Sequence, residues 1–205
     1  MRLLVIETAT EACSVALFDG DHSLGSFHET IGRGHVERLV PMISRLDEKG
    51  KADMICVSLG PGSFTGVRIG LATARALGVA WNVPVRGYPT LALVAAMARS
   101  EEAGEVTVCM NGGHGEWFMQ DFDAAGLPMA ELSSVSPEAA AQRTTYPTIA
   151  GSRAEELAAL LDRQPSGVVK TLPEAAKFQH LPEALLSEKL SPLYGRAPDA
   201  KLPSR

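Results

Sequence analysis

Short apolar runs separated by polar turns open the chain, and a spacing of three and four takes over near residue 35. Leu3–Ile6 is apolar throughout and long enough for a buried strand. Thr8-Ala9-Thr10-Glu11 is a polar turn, and Cys13–Phe18 reads as a second strand. Asp19-Gly20 predicts a hairpin, because glycine tolerates the positive φ of a tight turn. His22–Glu29 then reads as a third, partly exposed strand. Gly32 and Gly34 break the pattern, and Val36, Leu39, Val40, Ile43 and Leu46 follow at helical spacing. Pro41 lies inside that helix and removes one backbone donor, which predicts a kink. Met54–Leu59 is a fourth strand and Gly60–Gly66 a tight loop. A second helix, Val67–Val79, follows with Ser63 or Thr65 available to cap it. Val83-Pro84-Val85 leads into an edge strand, and Pro89 precedes a third helix from Thr90 to about Ser100.

The element order β-β-β-α-β-α predicts a ribonuclease-H-like unit over residues 1–102. Glu101–Glu105 reads as a linker. Beyond it the pattern predicts paired strands at Val106–Cys109 and Trp117–Phe122 and a weak strand near Met129–Leu132. A helix after Pro137, a strand at Thr148–Ala150 and a helix over Arg153–Leu161 complete the unit. Pro173–Lys189 reads as helical pieces broken at Pro182. The expected organisation is a lobe over residues 1–102, a smaller lobe over 103–188 and a basic tail over 189–205. No internal repeat is visible by residue identity.

The chain has 205 residues, 45% of them hydrophobic, which fits a globular protein of one or two domains. Its formal net charge of −5 does not suggest a nucleic-acid binder, since phosphate affinity needs clustered cations. Charge is unevenly placed. Residues 103–188 carry 5 basic and 12 acidic side chains, whereas the tail carries Lys189, Arg196, Lys201 and Arg205 against Asp199. The longest apolar run, Leu91–Ala98, is too short to span a bilayer, and the first residues lack the parts of a signal peptide. Cys13, Cys56 and Cys109 are far apart and form no CxxC pair, which predicts reduced, buried thiols and a cytoplasmic location.

Candidate chemistry is incomplete everywhere. The Gly60–Gly66 loop between a strand and a helix can cradle an anion. Gly66 comes one residue too late for the dinucleotide pattern, however, and no Lys completes a P-loop. The same glycines can equally let the helix pack closely on the sheet. A helical metal site at His35 needs a second ligand one turn on, and Leu39 stands there. His22 and His28 share a strand face without a third ligand. Glu7, Glu11 and Asp19 are candidate acids, and Ser14, Ser58 and Ser63 are nucleophiles by residue type only, none in a G-x-S-x-G elbow. The loop Asn111-Gly112-Gly113-His114-Gly115 suits a ligand or a plain hairpin. These absences favour a binding role over independent chemistry.

Four stretches are similar to one family. Ile6–Leu17 (IETATEACSVAL), Gly34–Ile43 (GHVERLVPMI) and above all Gly60–Arg75 (GPGSFTGVRIGLATAR) resemble the TsaB (YeaZ) family, as does Ser191–Lys201 (SPLYGRAPDAK). The resemblance implies a two-lobed fold of the actin, sugar kinase and Hsp70 type with a reduced second lobe. It also implies a role in tRNA threonylcarbamoyladenosine modification. There a related catalytic subunit, TsaD, transfers the threonylcarbamoyl group to N6 of adenosine 37. TsaD holds a metal on two helical histidines one turn apart. Here His35 is present and Leu39 replaces the second, so the resemblance implies a paralogue without that metal.

The implied role is a non-catalytic partner that binds TsaD and holds it active, with no cofactor of its own. ATP and metal are expected on the partner subunits, TsaE in the full complex, tRNA through the complex, and no membrane. Alone, such a chain is expected to form a homodimer through the same surface. The expected interface comprises His35, Val36, Leu39, Val40 and Ile43 on the first helix with Arg68, Leu71, Ala74 and Arg75 on the second. An independent nucleotide- or metal-dependent hydrolase or protease of the same superfamily is the alternative. Two departures stand out: Glu7 replaces an Asp common in the family, and Asn111–Glu116 lacks the usual Asp-Ala start and basic residues.

Overall fold

A computed structural model describes residues 1–195 as two five-stranded sheets with one helix buried between them. In the first sheet β1 (Arg2–Glu7), β2 (Ala12–Asp19) and β3 (His22–Thr30) form an antiparallel meander. β4 (Met54–Ser58) and β5 (Val85–Tyr88) add in parallel, giving the order β3-β2-β1-β4-β5. β1 is the central strand. Buried on both faces, it reads as an unbroken apolar run rather than an alternation. Helices α1 (His35–Ser44) and α2 (Phe64–Trp81) connect β3 to β4 and β4 to β5. α1 continues through Pro41, and α2 ends at Asn82, which takes the left-handed conformation at φ 55°.

The second sheet repeats this plan. β6 (Val106–Gly113), β7 (Glu116–Phe122) and β8 (Ser133–Val135) are antiparallel. β9 (Thr148–Ala150) and β10 (Gly167–Val169) extend the sheet in parallel with β6, in the order β10-β9-β6-β7-β8. Helices α4 (Pro137–Arg143) and α5 (Ala154–Leu160) occupy the places of α1 and α2. The repeat is one of topology, invisible at the level of residue identity.

Helix α3 (Thr90–Glu101) joins the two halves. Every residue from Thr90 to Ala98 is buried. An all-round apolar helix needs cover on all sides. Val5, Ala16, Phe18 and Tyr88 cover it from the first sheet, and Val106, Val108, Phe118 and Phe122 from the second. After β10 the chain returns to the first sheet in two short 3₁₀ turns, Ala175–His180 and Glu183–Leu185, split at Pro182 as the sequence predicts. The Ala175 amide donates to Ser14 Oγ (3.0 Å). Ser187 exchanges two backbone hydrogen bonds with Gly87 (2.8 and 2.9 Å) and covers part of the β5 edge.

Two second-half expectations need correction. The weak strand expected at Met129–Leu132 forms at Ser133–Val135, where Ser133 and Ser134 pair with Met119 and Phe118. β10 was not anticipated, because Val168 and Val169 alone make no readable pattern. Arg196, Lys201 and Arg205 of the basic tail lie outside the described residues.

Candidate partner-binding surface and interlobe cleft

The Gly60–Gly66 loop is shaped by close packing. Ser63 Oγ accepts from the Gly66 amide (3.2 Å) and is the cap of α2; Thr65 is not. The Ser63 amide donates to the Ala9 carbonyl (2.6 Å), and Thr8 Oγ1 donates to the Gly66 carbonyl (2.8 Å). A Cβ at Gly62 would run into the Ala9 carbonyl, and one at Gly66 into the Thr8 carbonyl. The spacing of these glycines therefore records where the start of α2 meets the β1–β2 turn. Of the two sequence readings, close approach accounts for them.

Beside this loop lies a cleft of about 360 Å³ lined by Ala9–Glu11, Pro61–Ser63, Met110–Gly113 and Ser152, with Gly32 at its rim. Asn111 is held there by its amide bond to Ser152 Oγ (3.0 Å). Among the described residues the charged side chain of the lining is Glu11, and no Lys or Arg faces in. Against that lining a polyphosphate would meet a like charge.

The three candidate carboxylates are not brought together. Asp19 pairs with the N-terminal amine at the far end of β2 (3.0 Å). Glu7 is fully buried, with Oε1 accepting from the Ala9 amide (2.7 Å). Among the described residues its Oε2 finds no hydrogen-bond donor of ordinary geometry. Burial pushes Glu7 up to about 7, while the Ala9 amide and the nearby Ser58 and Tyr88 hydroxyls pull back. The Tyr88 hydroxyl donates to the Ile6 carbonyl (3.1 Å), and burial raises its pKa. Ser14 and Ser58 are buried structural hydroxyls. His35 is buried at the start of α1 with Nε2 3.2 Å from the Ala12 carbonyl, pinning helix to strand rather than lying at the surface. Among the described residues no group of three or more His, Cys, Asp or Glu is placed to hold a metal ion.

The nine expected interface residues separate by helical phase. His35, Leu39 and Ile43 face the sheet from α1, and Leu71 and Ala74 face it from α2, all buried within the chain itself. Those five are unavailable to a partner docking on the outside, because a 3.6-residue period turns the 35/39/43 row inward. Val36 and Val40 on the opposite side are 62% and 58% exposed. Arg68 and Arg75 are exposed along one stripe of α2, where they reach the Tyr194 hydroxyl and the Leu190 carbonyl. Sequence reading missed Phe64 and Val79 on that stripe, 56% and 84% exposed. Their spacing from Arg68 and Arg75, four residues in each case, is the signal that finds them. Burial raises Cys13 to about 11 and Cys56 and Cys109 to about 12, so all three stay protonated thiols.

Several known proteins are similar to this chain. A family model described as "TsaD: tRNA N6-adenosine threonylcarbamoyltransferase" matches residues 25–178. The tRNA threonylcarbamoyladenosine biosynthesis protein TsaB of Escherichia coli is 37% identical over 128 residues, covering 60% of this chain and 55% of that protein. An uncharacterised protein of Mycobacterium leprae is 30% identical over 213 residues, 97% of this chain and 56% of that protein. The chain thus spans a little over half the length of these curated relatives. The solved structure of YeaZ from Pseudomonas aeruginosa superposes with a TM-score of 0.79 at 29% identity, covering 94% of this chain and 99% of that one. Among the described residues no helix is long and apolar enough to cross a membrane. A two-lobed fold of actin type with matched sequence over most of the chain places it in the TsaB (YeaZ) family, within the wider group that the TsaD description covers.

Proposed function

We propose that the chain is a non-catalytic subunit of the tRNA threonylcarbamoyladenosine machinery that binds a TsaD-type catalytic subunit and holds it active. The observation that carries this reading is the outward face of α1 and α2. Val36 and Val40 of α1 are more than half exposed, and α2 carries Arg68 and Arg75 exposed on its surface. Apolar side chains on the solvent side of an amphipathic helix mark a contact surface. The incomplete constellation inside the chain supports the same division of labour. Glu7 is sealed in the core, and no described residue of the cleft lining offers a cation to a nucleotide. In this reading ATP, metal and TsaE reach the chain through the complex, as does tRNA, and without TsaD the same face closes on a second copy.

Light scattering tests it on the full chain, alone and mixed with its own organism's TsaD-type subunit. A homodimer converting to a heterodimer is expected, and Val36→Glu with Val40→Glu should prevent both. A chain that ignores the catalytic subunit at micromolar concentration overturns the proposal.

A further inference from the structure

The chain has two asparagines, Asn82 and Asn111, and the fold treats them differently. Asn82 closes α2 in the left-handed conformation. The amide after it, on Val83, is committed to the Gly78 carbonyl (3.0 Å), and Val83 is β-branched and partly buried. Asn111 ends the buried run of β6 and is itself exposed, with Gly112 after it. The β6–β7 register slips at this point. Asn111 faces Trp117 and Gly113 faces Glu116, so Gly112 stands opposite no residue of β7.

Two contacts hold Asn111 in place. Its amide donates to Ser152 Oγ (3.0 Å), which fixes the residue in the wall of the interlobe cleft. The Gly113 amide donates to Asn111 Oδ1 (3.2 Å), so the side chain folds forward along the main chain of Gly112. A carbonyl oxygen that accepts a hydrogen bond takes on negative charge more readily, and its carbon is the better electrophile. The nucleophile beside that carbon is the Gly112 amide nitrogen, one residue on. Gly112 has no side chain to obstruct the attack, and glycine lets the backbone rotate into it.

We propose that Asn111 is a self-modification site, at which the folded chain converts its own side-chain amide to a carboxylate. The Gly112 nitrogen gives up its proton and bonds to Asn111 Cγ. The Cγ–Nδ2 bond breaks, and ammonia leaves with that proton, so a succinimide ring remains. Water then adds to one of the two ring carbonyls. Opening at Cγ gives aspartate, and opening at the main-chain carbonyl gives isoaspartate. Nothing is oxidised or reduced, and water is the co-reactant. The product sets a second carboxylate on a cleft lining whose charged side chain, among the described residues, is Glu11. In the aspartate form the Gly113 amide remains its partner, now in a charge-assisted bond. Two like charges along one cleft repel anions and attract cations, so the reaction changes what the cleft accepts. Nothing in it depends on the function proposed above.

The test is peptide mass spectrometry of the full chain, held folded at pH 6 and pH 8, with both asparagines followed together. Position 111 is expected to convert at least about tenfold faster than position 82. The rate should rise with pH, because the Gly112 nitrogen attacks as its anion. Anion exchange should resolve the product as a more acidic form. Asn111→Gln should not give that form, since its longer side chain cannot close the same ring. It is a better control than a Gly112 variant, whose Cβ would lie 2.8 Å from the Glu116 carbonyl. The chain unfolded in urea supplies the second reading. Folded Asn111 should react at least as fast as unfolded, because the Gly113 amide already holds Oδ1. Slower reaction in the folded chain would show that β6 protects the residue, and overturns the proposal. Equal rates at positions 82 and 111 overturn it too, since the fold would then have no part in the choice. A rate indifferent to pH overturns the ring-closing route in favour of direct hydrolysis.

Discussion

The two lobes share one topology and differ in how far their helices outgrow their sheets. α1 and α2 have 10 and 18 residues, whereas α4 and α5 have 7 each. Among the described residues the core beneath α1 and α2 contains 17 buried side chains, and that beneath α4 and α5 contains 7. An 18-residue helix is about 27 Å long, more than the five-residue β4 beside it needs for cover. That surplus leaves Phe64 and Val79 of α2 facing out, and the outer side of α1 adds Val36 and Val40. In the second lobe the two short helices leave one large apolar side chain, Leu160 of α5, more than a third exposed. One plan used twice yields a lobe with an exposed apolar face on its helices and a lobe that completes the core around α3.

The sharpest test of that difference is one truncation in each lobe. Leu39 and Leu157 are both fully buried. Leu39→Ala should cost about 4 kcal/mol in urea unfolding, because sheet and two long helices cannot collapse on the cavity. Leu157→Ala should cost about 2 kcal/mol, at the low end for such truncations, since a two-turn helix can shift to fill the space. Equal losses would mean the second lobe is as rigid as the first. Amide hydrogen exchange gives a second reading: β10, α4 and α5 should open at lower free energy than β1 and β4.

Glu7 supplies the next largest effect. Burial raises its carboxyl from the ordinary 4.5 to about 7, so between those values the folded chain holds a proton that the unfolded chain has released. Stability from this group is fully present below pH 4.5 and lost as pH rises through 7, by about 3 kcal/mol. Urea unfolding at pH 5 and pH 8 should show that loss in the wild type and little of it in Glu7→Gln. An unchanged pH slope in the variant assigns the effect to other groups.

A smaller effect separates two glycine sites. Gly66→Ala places a Cβ against the Thr8 carbonyl and should cost about 2 kcal/mol in the same unfolding assay. Gly115→Ala, in the β6–β7 hairpin, meets no neighbour and keeps only the strain of φ +80°, for about 1 kcal/mol. If the two costs are equal, close packing does not explain the Gly60–Gly66 spacing.

The first lobe was legible because its signals are local and long. Leu3–Ile6, the 36/39/40/43 spacing and the Gly60–Gly66 punctuation each place an element within a few residues of its observed bounds. The second lobe was harder to read because its outer strands are three residues long, too short for a period, and Val168-Val169 carries no flanking signal of its own. The candidate surface was half legible. Helical spacing identifies the apolar positions of α1, but which row faces the sheet depends on where β1 and β2 lie, so Leu39 and Val40 look alike in sequence. Phe64 and Tyr194, 130 positions apart, meet only through the fold.

That pair of neighbours on α1 gives the smallest stability effect and the most direct test of the lobe comparison. Leu39 is fully buried and Val40 is 58% exposed. Val40→Glu adds a charge on the solvent side and removes a β-branched residue from a helix, so stability should change by no more than about 0.5 kcal/mol. The same charge set into an apolar contact must be desolvated, so association should weaken at least about tenfold. Circular dichroism and urea unfolding read the first number and light scattering with the catalytic subunit the second. A Val40→Glu chain that unfolds easily would show this face to be core, and the first lobe would then have no surplus to bind with. A stable variant that associates like the wild type would leave the surplus without the purpose assigned to it.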